Sequence, residues 1–454
     1  MASTVLTPWQ RLDQLVDWER VARARMRVDL APELDLLQRL GNPHRNLKVV
    51  HVTGSKGKGS VSAFIEAGLI HAGFRTGRYG SPHVVHVTER INLQGHPVEA
   101  QSMEHALERV LDARDAACAQ GTSASQASWF DVVTAAAFCI FAESAVDWAV
   151  IEVGLGGRLD STNVVDPQLA VITNIGLEHT DVLGPTLSHV ATEKAGIIKP
   201  GRPVVTGESR QSEAGLVIAE AARQRGSECV WVDAQSCRGF VQANVALARA
   251  SLDLLGRLGV VGPHRGNALG SQDLPDETAR QAQLPGRAER LQWPLAQAAR
   301  GAASSAQIQP PLSIVLDGAH VGFAVTALLD ELAQSPELQE LPEVLLAISA
   351  DKDAQDIISR LRGRVRRVVC TELAPPSRCW TAVQLQAYCH EQGIPHEGRS
   401  SAEEALDLAL ASLCHAASHI SSSPWLLVTG SLYLIKELRP LLLSRAAQLG
   451  AAAS

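Results

Sequence analysis

No apolar run in this 454-residue chain approaches the roughly 20 residues needed to span a bilayer, so no membrane partner is expected. The eight cysteines, at 118, 139, 229, 237, 370, 379, 389 and 414, form no C-x-x-C pair, which removes support for zinc and redox motifs and leaves reduced, packed thiols. A long basic block is also missing. With a net charge of -7, the chain is no candidate for nucleic-acid binding, and anionic substrates must be met by local charges. The first residues lack an apolar signal core, and Asp13, Asp17 and Glu19 are unlike an organellar presequence, so the cytoplasm is the expected compartment. There is no internal repeat or coiled-coil heptad. What is present is an ordinary globular composition, 46% hydrophobic and 20% charged, long enough for two or three domains.

The most informative stretch runs from Lys48 to Phe64, where a β-branched run stops at glycines and then becomes helical. It reads as strand, phosphate loop and helix. Glycines let the backbone turn N–H groups around a polyphosphate, the helix adds the positive end of its dipole, and Lys58 and Ser60 supply a cation and a Mg²⁺-ligating hydroxyl. The candidate nucleotide cradle is Gly54, Ser55, Lys56, Gly57, Lys58, Gly59 and Ser60. The strict phosphate-loop form places Lys directly before Ser or Thr, whereas Gly59 intervenes here. A flexible Gly/Ser turn is the bland alternative.

Near-continuous apolar runs at 146–153, 169–175 and 202–206 suit parallel strands covered on both faces, and 131–143 reads as a helix with Asp131 in its first turn. The result is a doubly wound α/β domain. Residues 259–283 and 301–311 have linker composition, which puts a domain boundary near residue 305 and divides the chain into 1–304 and 305–454. A second, smaller α/β pattern follows, with strands at 312–316, 344–348 and 425–429 and a helix at 322–333. The glycines at 154, 156 and 157 after a strand lack the third glycine of a dinucleotide fingerprint, because Leu159 occupies its place.

The G-x-x-G-K-G-S loop resembles that of ATP-dependent amide ligases of the Mur and folylpolyglutamate synthase type, and further segments extend the likeness to the folylpolyglutamate synthase/dihydrofolate synthase family. They include residues 26–30 and 40–43, Gly80-Ser81-Pro82-His83, Glu89-Arg90-Ile91, the run 152–163, Gly176 to Asp181, and Glu193 to Lys199. Later matches are Leu284 to Arg287, Leu316 to His320, 351–353 and Thr429 to Tyr433. The resemblance implies a phosphate-loop domain followed by a Rossmann-like C-terminal glutamate-ligase domain.

It also implies roles. Ser81, Glu152 and His179 would hold one Mg²⁺, with Ser60 serving the nucleotide's own Mg²⁺; Ser81 as a turn residue and His179 as a helix cap are the alternatives. Lys194, otherwise a solvated surface lysine, would be carbamylated and would help place a second Mg²⁺. Arg287 would bridge onto the triphosphate, Asp317 would contact nucleotide, and His320 would make a substrate-side or catalytic contact. Asn244 would face the adenine. Ser431, equally an ordinary turn serine, would bind the incoming glutamate. Two departures limit the likeness: Val321-Gly322 replaces the family's Asn-Pro, and the histidine of its H-Q-x-x-N-A segment is absent around Asn244.

The implied reaction is ATP-dependent amide formation, in which L-glutamate is joined to dihydropteroate or to a folate through an acyl phosphate, with the domains closing to exclude water. The partners implied are small molecules: ATP, glutamate and a pterin or folate, acting on a monomer. A Mur-type ligase for a non-folate carboxylate and a non-catalytic nucleotide binder are the other classes.

Overall fold

The computed structural model describes residues 6–18, 29–294, 311–374, 378–419 and 424–453. They divide into two compact units between Gln283 and Leu284, with Arg238–Phe240 belonging to the second. The expected boundary near residue 305 lies outside the described residues, as do Met26, Arg27 and Val28 of the first family segment.

In the first unit eight strands form one sheet: β1 (Val49–Thr53), β2 (Thr76–Tyr79), β3 (Ile91–Leu93), β4 (His96–Pro97), β5 (Trp148–Glu152), β6 (Leu169–Ile172), β7 (Val204–Thr206) and β8 (Cys229–Trp231). Their order is β4-β3-β2-β5-β1-β6-β7-β8. The pairs from β2 to β8 are all parallel, while β3 and β4 add an antiparallel edge. Every residue of β1, β5 and β6 is buried, as the apolar runs require of strands covered on both faces. Alternate side chains serve opposite cores. Val49, Ala149 and Ile151 join Leu107, Phe138 and Phe141 on one face, while Val50, Val52 and Val150 join Phe64, Ile65 and Leu252 on the other. Each of these valine, leucine, isoleucine and phenylalanine side chains contributes about 1.5–3 kcal/mol by leaving water.

The helix read from Asp131 starts two residues earlier, at Trp129, because Ser128 caps it and Asp131 returns a bond to the Ser128 N–H at 2.7 Å, a reciprocal capping box. No helix among the described residues is long and apolar enough to cross a membrane.

The second unit holds a six-stranded sheet of β9 (Glu289–Trp293), β10 (Leu312–Leu316), β11 (Glu343–Leu346), β12 (Arg367–Cys370), β13 (His396–Gly398) and β14 (Trp425–Thr429), in the order β13-β12-β11-β14-β10-β9. Five strands are parallel. β9 is antiparallel to β10, with Leu312 opposite Trp293, and this pairing draws the residues after Leu284 into the second unit. The helix beyond His320 runs Gly322–Leu332 from a Val321 cap that makes no side-chain bond. Gly322 leaves room for the Asp356 carboxylate, which a Cβ there would meet at 2.0 Å and push aside.

Candidate active site

The phosphate loop leaves the carboxyl end of β1 and enters the helix Lys58–His71, whose N-cap Gly57 has φ +82°. Lys58 and Ser60 lie in the first helical turn, where N–H groups have no intrahelical acceptor. The Lys58 ammonium donates to the Gly54 carbonyl at 2.9 Å, folding back over the loop. Gly54 and Gly57 are positions where only glycine fits: a Cβ would stand 1.8 Å from Thr173 Oγ1 at the first and 2.4 Å from Asn244 Oδ1 at the second. The buried Asn244 amide therefore rests against the loop itself. A loop clamped in this way is not a flexible turn.

β2 and β1 both flank β5. Glu152 ends β5 beside Val52, and Ser81 follows β2 by two residues, so both reach the edge from which the loop rises. They meet there: the Ser81 N–H donates to Glu152 Oε2 at 3.2 Å, and Glu152 is buried. His179 occupies the N-cap position of the short helix Thr180–Leu183 in the left-handed region, φ +49°, and its side chain caps nothing. Non-glycine residues adopt that conformation at a cost and are enriched at functional sites. Among the described residues no three of His, Cys, Asp and Glu gather as a metal cluster.

Lys194 is not a solvated lysine. It lies in the last turn of the helix Leu187–Ala195 at 1% exposure, and its ammonium donates to Gly54 O at 2.9 Å and to Glu178 Oε1 at 3.0 Å. Burial and then the Lys58 charge lower its pKa to about 8, against the opposing pull of Glu178. Burial raises the Glu178 carboxyl, but Lys58, Lys194 and Lys56 outweigh it and hold the group at about 2. The pair is thus an ionised carboxylate beside an amine that gives up its proton more readily than a free lysine.

In the second unit Asp317 follows β10, and both its oxygens are engaged by backbone: Oδ2 accepts from Ala288 N at 2.7 Å and Oδ1 from Ala319 N at 2.8 Å. This anchors the residue after Arg287. His320 Nδ1 lies 2.8 Å from the Gly318 carbonyl, which makes Nδ1 the protonated nitrogen of the neutral ring. Ser431 is buried after β14, and its Oγ accepts from Tyr433 N at 3.1 Å, a helix-capping contact.

Sequence reasoning assigned no role to Glu178, Thr173 or Asn174, the residues that hold Lys194 and the loop. The signal available was their place in the run from β6 to His179, since bonds such as Lys56 N–H to Asn174 Oδ1 at 3.0 Å join residues 118 apart.

Comparison with known proteins identifies relatives of this chain. Residues 52–206 match the Mur ligase middle domain, and residues 302–443 match the dihydrofolate synthetase C-terminal domain. The chain is 31% identical to dihydrofolate synthase/folylpolyglutamate synthase of Bacillus subtilis over 89% of this chain and 92% of the relative. Among solved structures, Escherichia coli FolC in complex with DHPP and ADP superposes with a TM-score of 0.75 at 25% identity, covering 97% of this chain and 98% of that one. A bifunctional folylpolyglutamate synthase/dihydrofolate synthase with Mn, AMPPNP and L-glutamate bound gives a TM-score of 0.71 at 26% identity, covering 95% and 96%. The phosphate loop, the sheet edge that carries Glu152 and Ser81, and likeness along nearly the whole chain place this protein in the folylpolyglutamate synthase/dihydrofolate synthase family.

Proposed function

We propose that the chain is an ATP-dependent carboxylate–amine ligase that joins L-glutamate to dihydropteroate, with extension of folate glutamates as a second activity, acting as a monomer in the cytoplasm. The observation that carries the reading is the meeting, at one edge of the first sheet, of the phosphate loop, Lys58, Glu152 and Ser81. A family relative holding DHPP and ADP, and another holding Mn, AMPPNP and L-glutamate, support the substrate set.

The acceptor carboxylate attacks the γ-phosphorus of ATP and ADP leaves, giving an acyl phosphate; the glutamate amine then attacks the acyl carbon and phosphate leaves. The protein's part is positioning and charge. The turn Gly54-Ser55-Lys56 walls the cradle, the amides of Gly57, Lys58, Gly59 and Ser60 face the phosphates, and the Lys58 ammonium balances the β/γ charge. Asn244 faces the adenine. In the second unit, Arg287 supplies a guanidinium for phosphoryl oxygens, Asp317 holds the Arg287 turn, His320 Nε2 accepts the proton that the glutamate amine gives up as its bond to the acyl carbon forms, and Ser431 binds the incoming glutamate.

The first-unit residues fit Mg²⁺. Glu152 offers a buried hard oxygen with Ser81 fastened to it, and an ion that keeps waters and shares phosphate oxygens needs no cluster of three acids. Ser81, Glu152 and His179 would hold one ion, Ser60 would serve the nucleotide's own Mg²⁺, and Lys194 as its carbamate would help place a second ion. Bound Mg²⁺ supplies neutralisation of phosphoryl charge. Purified protein given ATP, Mg²⁺, L-glutamate and each acceptor in turn, with products weighed by mass spectrometry, tests the reading. Ligation of dihydropteroate with ADP release is expected. ADP release with tetrahydrofolate alone removes the acceptor preference, and no release with either removes the folate assignment.

A further inference from the structure

The segment after β6 grips the phosphate loop by its backbone. Lys56 N–H donates to Asn174 Oδ1 at 3.0 Å, and Lys56 C=O accepts from Asn174 Nδ2 at 3.0 Å and from Thr173 Oγ1 at 2.6 Å. One residue earlier, Ser55 N–H donates to the Asn174 carbonyl at 2.8 Å. Ser55 Oγ also accepts from Gly176 N at 2.9 Å and lies 3.0 Å from the Gly176 carbonyl. Two loop amides, those of Ser55 and Lys56, are thereby engaged within the protein.

A trans peptide points its C=O and its N–H in opposite directions. Fastening the Lys56 carbonyl to Thr173 and Asn174 therefore turns the Gly57 N–H away from them. From there Gly57, Lys58, Gly59 and Ser60 are the N-cap and first three helical positions, whose N–H groups lack intrahelical acceptors. Gly54 permits the close approach, because any Cβ there would collide with the Thr173 hydroxyl.

We infer that Asn174, assisted by Thr173, is a positioning residue for the nucleotide: by holding the Lys56 peptide it assigns phosphate recognition to the amides of 57–60 and withdraws those of 55 and 56. The inference rests on the loop being the nucleotide site. Its effect is on binding shared by ground and transition states, so it falls on affinity and leaves the chemical step alone.

The test is calorimetric titration of the full chain with ADP in chelator, alongside the ATP KM, for wild type, Asn174→Ala, Thr173→Val and Thr173→Ser. Loss of two neutral hydrogen bonds in Asn174→Ala should weaken ADP by about tenfold and raise the ATP KM by the same factor. In that variant kcat at saturating ATP and the glutamate KM should stay within about twofold of wild type. Thr173→Val should show a smaller loss that Thr173→Ser restores, which a general packing defect would not do. If Asn174→Ala does not fold, the Thr173 pair decides the matter. The proposal is overturned by a folded Asn174→Ala with wild-type ADP affinity, by a fall in kcat at unchanged affinity, or by Thr173→Val and Thr173→Ser behaving alike. Wild-type protein that binds no ADP overturns the nucleotide reading itself, a result distinct from the other three.

Discussion

Replacing Glu33 by Leu should stabilise the first unit, and more so as pH rises. Glu33 lies in the first turn of the helix Ala31–Arg39 and is completely buried, yet neither of its carboxyl oxygens has a hydrogen-bond partner. Burial, then the Asp131 and Asp160 charges, raise its pKa well above the ordinary 4.5. Those neighbours have their own donors: Ser128 N and Ser161 Oγ for Asp131, Leu155 N and Thr162 N for Asp160. Glu33 has no hydrogen-bond donor among the described residues, so burial favours its neutral form. An unsatisfied buried polar group costs about 1–3 kcal/mol, and Leu fills a similar volume without that cost. The folded state holds a proton that the unfolded chain releases near 4.5, so the wild type is favoured below that value and loses stability as pH rises toward the folded pKa. The Leu variant does not titrate there. Its advantage should therefore start near pH 4 at about 1–3 kcal/mol, the cost of the unsatisfied group, and grow as pH rises toward the folded pKa, each kcal/mol raising the melting of the first unit by about 2–4 °C. Scanning calorimetry of both proteins across that range is the assay. A gain independent of pH, or a loss at pH 8, would refute the reasoning, because either result means that Glu33 is ionised and compensated.

Lys58→Ala should abolish ligation while leaving the melting temperature nearly unchanged, since a half-buried side chain with one carbonyl partner carries little of the fold, and Ser60→Ala should mainly raise the Mg²⁺ requirement; circular dichroism and ADP release separate these effects. Lys194, with a pKa near 8, has its reactive neutral amine growing as pH rises through that value, so bicarbonate should activate the enzyme more at pH 9 than at pH 7. Carbon NMR with labelled bicarbonate should show the carbamate signal, and Lys194→Ala should lose both the signal and the activation; an active enzyme without the signal removes the role.

Sequence alone determined the local parts. β10 and β14 occupy the residues read for them, 312–316 and 425–429, because a short apolar run that begins directly after a proline, Pro311 or Pro424, and stops near a glycine is legible from neighbours in the chain. The loop and its helix were equally plain, since glycine spacing and helix entry are local properties. The tertiary structure decided what depends on distant partners. β9 joins the second sheet through an antiparallel pairing that no periodicity announces, and Lys194 is buried because Glu178 and the Gly54 carbonyl receive it from 16 and 140 residues away. Asp317 gives its oxygens to backbone, a use that its side-chain type does not foretell. Glu33 sits among apolar side chains and carboxylates with no donor, although its sequence neighbours mark only the first turn of a helix. A pattern encodes which face of an element turns inward, but which polar groups meet there is a property of the packed three-dimensional arrangement, and that arrangement sets the charge state of the site.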